Sequence, residues 1–188
     1  SVWDRLRGEN RQLKTNSTTN EASGWADTYF NLDQSGGWRT GDSQPNWLNK
    51  SGSAYISWTW KRAPGHFDMI AYTGTGSARD LPHNLGVVPE MYWIKARGET
   101  RNWIVYANIG GTYKELILNT SSAAGTASSI GGDPTASVIK LGTTYNENRD
   151  GFNYIAYLFA TVAGVSKVGT VSLTGSAINV DCGFSSGA

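Results

Sequence analysis

The side chains able to do chemistry are few and scattered. His66 and His83 are the two histidines. Neither stands in an H-x-H or H-E-x-x-H spacing, so neither a metal centre nor a catalytic triad is indicated. Carboxylates run from Asp27, Asp33 and Asp42 through Asp68, Asp80 and Glu99 to Glu147 and Asp150. Glycoside hydrolysis would need two of them roughly 5–10 Å apart across a groove. In "NENRDG", Asn146, Asn148 and Asp150 alternate ahead of Gly151 like the opening of a calcium loop. The leading Asp and distal Glu are missing, and position 157 is Tyr. A turn before a strand explains the segment better.

Stacking is the other chemistry on offer. Residues 20–50 carry Trp25, Tyr29, Trp38 and Trp47 among polar turn residues. Trp25 and Trp47, with Asp42, are the candidate ligand-binding residues. Rings of this kind stack on sugar faces, and a carboxylate bonds sugar hydroxyls. The competing reading packs them under a long loop or at a subunit contact, as befits large aromatics.

The composition says which elements must carry these groups. The 188 residues hold 16 Lys+Arg against 15 Asp+Glu, for a net charge of +1. That balance offers no electrostatic case for nucleic acid or an anionic membrane. No apolar run approaches the roughly 18 residues of a membrane span. The single cysteine, Cys182, excludes an internal disulfide, so burial must supply stability. With 23 Gly, 8 Trp and 9 Tyr, the chain favours strands joined by tight turns.

The chain repeats itself. "YISWTWKRAPGHFDMIAYTGTGS" (55–77) returns as "YIAYLFATVAGVSKVGTVSLTGS" (154–176) at an offset of 99. Tyr55 and Ile56 match Tyr154 and Ile155, Trp58 matches Tyr157, Trp60 matches Phe159 and Gly65 matches Gly164. Upstream, "VWDRLRGENRQLKTNST" from Val2 aligns with "VYANIGGTYKELILNTS" from Val105 at an offset of 103, placing Leu13 on Leu116 and Asn16 on Asn119. "WRTG" (38–41) meets "IKLG" (139–142), so Trp38 belongs with the core. What persists is apolar residues and Gly, which marks a shared interior. No acidic pair recurs: Asp68 lies opposite Lys167 and Asp80 opposite Asn179. Sequons begin at Asn16, Asn49 and Asn119, and Asn's tolerance of turns explains their recurrence without sugar.

The expected fold is all-β: two tandem related β-sandwich, jelly-roll-like units with little or no helix, at 1–88 and 89–188. The segment "PEMYWIKARGETRNWI" (89–104) follows the first repeated block and has no counterpart after the second. The chain is therefore expected to begin and end within a unit, inside a longer array or beside neighbours that complete its sheet edges. Period-2 alternation places strands at 10–15, 36–41, 55–61, 66–73, 90–96, 101–107, 112–119, 137–142, 154–159, 165–172 and 177–184. "YIAYLF" is apolar on both faces and should be the more deeply buried copy. "LPHNLGVVPE" (81–90) reads as a lead-in turn. Residues 22–36 could hold one helical turn at most.

"HNLGVVPEMYWIKAR" followed by "NWIVY", "LNTSSAA" and "NYIAYLFATVAGVSKVGT" resembles a domain repeated in marine and cyanobacterial phage structural proteins. Pro89-Glu90, Trp103, Val105, Leu118-Asn119, Tyr154, Tyr157, Phe159, Lys167 and Gly169 carry the resemblance. It implies a virion-surface protein, a tail fibre or appendage segment displaying loops for host attachment. It implies no catalytic residue, so the protein is not expected to be an enzyme, and no cofactor or metal is expected. The partners it implies are other virion chains, as a homo-oligomer with a trimer favoured, and a host-surface glycan or protein. The alternatives are a capsid decoration protein, or a carbohydrate-binding module or polysaccharide depolymerase.

Overall fold

Alternating apolar residues bounded by Gly and Asn build the strands of this protein. The computed structural model describes residues 1–22, 30–40 and 48–184. Strands β1 (Phe30–Gln34) and β2 (Gly37–Thr40) form an antiparallel hairpin. Then come β3 (Phe67–Thr73), β4 (Arg79–Pro82), β5 (Met91–Ala96), β6 (Ile104–Ile109), β7 (Thr112–Ile117), β8 (Gly125–Thr126) and β9 (Val138–Leu141). A one-turn helix, α1 (Tyr145–Asn148), leads into β10 (Asn153–Phe159).

Six strands make one antiparallel sheet in the order β3-β10-β5-β6-β7-β8. The β6–β7 connection is the two-residue loop Gly110-Gly111, with φ of 63° and 85°. Positive φ at both positions is the type I′ turn that suits the twist of a hairpin, and Gly takes it without strain. Strands β4 and β9 pair separately. Their Leu81, Ile139 and Leu141 cover Tyr92, Ile94, Tyr106, Tyr154, Ala156 and Leu158 of the large sheet. The result is a two-layer, all-β sandwich with antiparallel sheets. The large sheet takes β3 from before residue 88 and its other strands from after it.

The opposite face of the sheet holds a second cluster. Ile155 and Tyr157 of β10 meet Phe67 and Trp103, and Leu13 closes over them from the N-terminal residues. Isolated bridges Val2↔Leu13 and Gln12↔Ala22 shape that N-terminal cover. With cores on both faces, every residue from Tyr154 to Leu158 is buried, as its two-sided apolar pattern predicts.

Some strand expectations differ from the structure. Residues 55–61, 165–172 and 177–184 lie in no strand, and 10–15 contributes only the bridges at Gln12 and Leu13. Strand β4 begins ahead of the expected lead-in turn, and a helical turn lies at Tyr145–Asn148; of the expected turn within 22–36, residues 23–29 lie outside the described residues. The aligned positions also diverge. Tyr157 is 4% exposed within β10, whereas Trp58 is 70% exposed and unpaired. Leu13 is fully buried, whereas Leu116 is half-buried on β7. Two strands flank Tyr157, and among the described residues none flanks Trp58.

Candidate interaction surface

A segment with every second residue apolar has the pattern of a strand that packs against a neighbour. In 55–60, Ile56 and Trp58 are 74% and 70% exposed, and Tyr55 and Trp60 about half exposed. Val171, Leu173 and Val180 are similarly open. Among the described residues, no backbone–backbone hydrogen bond reaches 55–62 or 167–184. Trp60 anchors the first segment, with its ring centroid 6.3 Å from those of Phe67 and Phe159. Arg62 pairs with Asp68 at 2.6 Å. Unpaired backbone beside apolar side chains is the equipment for adding a strand, not for holding a small molecule.

Two turns lead out of these regions, and they match. Phe67 N–H donates to Ala63 O at 3.1 Å, and Ala63 N–H to Phe67 O at 3.0 Å. Ser166 and Val162 exchange the same pair at 2.9 Å each. Gly65 and Gly164 take φ of 74° and 72°. These positions are 99 residues apart, the offset of the repeat.

The buried charges of Asp4, Arg7 and Lys95 are committed to packing. Arg7, its side chain wholly buried, binds Asp4 at 2.5 Å and Glu21 at 3.1 Å. Tyr157 donates its hydroxyl to Asp4 Oδ2 at 2.6 Å, and Arg97 holds Glu21 with two bonds. This network ties the N-terminal cover to β10 and β5. Lys95, fully buried, donates to Thr18 O and Arg101 O. Desolvation lowers its ammonium to about 8.

Glu147 is fully buried at α1, and Tyr106 donates to its Oε2 at 2.5 Å. Desolvation raises the Glu147 carboxyl to about 7, and the Tyr106 bond offsets part of that rise. Its Oε1 and the buried Tyr92 hydroxyl have no hydrogen-bond partner among the described residues. The sequence carries no sign of this: Glu147 stands in a polar run, and only the packing of α1 under the sandwich buries it.

Trp25, Asp42 and Trp47 lie outside the described residues. His66 Nδ1 lies 3.1 Å from Ser166 Oγ, and His83 spans Thr135 O and Leu85 N–H. Asp68 caps Asn84 N–H as well as binding Arg62. In "NENRDG", Asn148 bonds Ser77 O, Gly142 O and Thr75 N–H, an interior brace. Asn119 spends its side chain on Trp103 N–H and Asn102. Among the described residues no group of three or more His, Cys, Asp or Glu side chains is placed to hold a metal ion. No helix among them is long and apolar enough to cross a membrane.

Over residues 1–186 the chain matches a family described as a domain of unknown function (DUF7483). No curated protein and no solved structure matches it.

Proposed function

Starting from a chain that belongs to the DUF7483 family, we propose an architectural segment of a phage virion appendage of the tail-fibre type. It stands on the virion surface, assembles with copies of itself and other virion chains, and displays loops for attachment to a host glycan or protein. It is not an enzyme and uses no cofactor. The observation that carries this reading is the exposed Tyr55–Trp60 segment, which has no backbone–backbone hydrogen bond among the described residues, with Ile56 and Trp58 in solvent. A contiguous apolar stretch of this kind calls for a protein neighbour. The phage assignment rests on the motif resemblance from Pro89-Glu90 to Gly169. The loop region with Trp25, Asp42 and Trp47 is the attachment candidate, and a trimer is the favoured assembly.

The experiment is localisation and competition. An antibody raised against this chain should decorate the appendages of purified particles, and free protein should compete with adsorption to host cells. Trp25→Ala and Trp47→Ala should abolish competition and leave assembly intact. Label on the capsid with no competition would replace this reading by a decoration protein. Shortening of host polysaccharide by the purified chain would replace it by a depolymerase.

A further inference from the structure

The two exposed segments are complementary halves of a strand pair that the same molecule already contains. In the complete sheet, β10 lies antiparallel to β3, with Tyr154 opposite Tyr72, Tyr157 opposite Met69 and Phe159 opposite Phe67. Residues 55–60 repeat β10 at 99 residues earlier, and 166–172 repeat β3 at 99 residues later. Neither repeated segment has a strand beside it among the described residues. The turns that introduce β3 and Ser166 share their hydrogen bonds and their glycine conformation. Ser166 therefore closes its turn with the same pair of backbone bonds as Phe67.

We propose that Tyr55–Trp60 of one copy of this chain pairs antiparallel with Ser166–Val171 of a second copy, in the register of β10 and β3. Carrying that register across by 99 residues sets Tyr55 opposite Val171, Ser57 opposite Gly169, Trp58 opposite Val168 and Trp60 opposite Ser166. The chemistry agrees with the placement. Tyr55 and Val171 take the places of the buried Tyr154 and Tyr72, and Trp58 and Val168 those of Tyr157 and Met69. All four are apolar, so both faces of the new pair gain cross-strand contacts. Small residues, Ser57 and Gly169, meet where Ala156 meets Ile70. Backbone groups that now lack a backbone partner gain ladder bonds, and the half-buried Val168 N–H, which donates to Thr161 Oγ1 at 3.0 Å, would exchange that bond.

The contact joins two different patches. It therefore closes as a reciprocal dimer or a ring, or continues as a fibre. The inference deepens the assembly side of the proposed function and needs no host receptor. Its test uses the isolated chain, so it stands or falls separately from adsorption.

Directly opposed strand residues sit roughly 4.5–5.5 Å apart at Cα, within disulfide range. In a Cys182→Ser background, Ser57→Cys and Gly169→Cys chains carrying different tags are mixed and oxidised. A disulfide between the two tags is expected, and the chain carrying both substitutions should form covalent oligomers. Thr59→Cys with Gly169→Cys, two residues out of register, should link at least tenfold less. A second pair of variants protects against misfolding. Trp58→Lys alone should be monomeric by light scattering, and mixing it with Val168→Glu should restore association by pairing opposite charges. Four results would overturn the proposal: linkage within one chain, linkage between two Ser57→Cys chains through position 57 of each, equal linkage out of register, or a parent chain that stays monomeric at tens of micromolar.

Discussion

His66 Nδ1 lies 3.1 Å from Ser166 Oγ, although the two stand 100 positions apart in the chain. The contact joins the two turns that repeat at an offset of 99, and Ala160 N–H adds a bond to His66 O at 3.1 Å. A path leaving the turn at Ala63 becomes β3, and a path leaving the turn at Val162 runs into solvent. One local geometry thus serves both a finished edge and an open one.

Gly65 should resist substitution. Its φ of 74° is left-handed, and an added Cβ would lie 3.8 Å from Val162 Cγ2, so there is space but not the right conformation. Gly65→Ala should cost about 1 kcal/mol through backbone strain alone. The same change at Gly36, where φ is not left-handed and nothing lies within 4 Å, should cost less. Urea midpoints at constant slope measure the difference.

Tyr157→Phe should loosen the N-terminal cover. It removes the 2.6 Å bond to Asp4 and leaves the ring stacked on Phe67 in place. Asp4 keeps its two bonds from Arg7, so a loss of about 1–2 kcal/mol is expected. Hydrogen exchange should quicken first at Val2, Leu13 and Ala22, whose amides close the N-terminal bridges.

Glu147 makes stability fall as pH rises. Its folded-state carboxyl is raised from 4.5 to about 7 by burial. The folded protein therefore holds a proton that the unfolded chain releases across that window. Its contribution is fully present below about 4.5 and is lost as pH passes 7, a difference on the order of 3 kcal/mol. Glu147→Gln should flatten the pH dependence of the unfolding midpoint between 4.5 and 7.5. Tyr106→Phe removes the bond that favours the carboxylate and should shift the window upward. A parent protein with a flat profile would show that Glu147 is not the titrating group.

Trp58 and Tyr157 occupy aligned positions and should behave oppositely. Trp58→Ser removes a ring that is 70% exposed, so the stability of the isolated chain should change by less than about 0.5 kcal/mol. Tyr157→Ala opens the centre of the second cluster and should cost about 3–5 kcal/mol. Thermal unfolding at matched low protein concentration compares the two without contributions from association.

Much of the interior is legible in the sequence. Alternation located β3, β5, β6, β7, β9 and β10 within a few residues, because a strand with a buried face must show period 2. The apolar run of β10 announced cover on both sides. Gly65 and Gly164, matched in the repeat, both lie in turns with left-handed φ. The buried acid was not legible, because the burial of Glu147 depends on where α1 lands against Tyr72 and Tyr106. The ligand-binding candidates at Trp25, Asp42 and Trp47 lie outside the described residues.

By itself, then, the sequence determined the all-β class, the positions of most strands and turns, and which segments are able to be buried. Tertiary structure alone decided which of them are. Tyr154–Phe159 and Tyr55–Trp60 carry nearly the same pattern, but only the first has β3 and β5 at its two edges. The physical reason is that an apolar period records a capacity to pair. The partner is chosen by backbone hydrogen bonds and packing from distant residues, which no local pattern encodes.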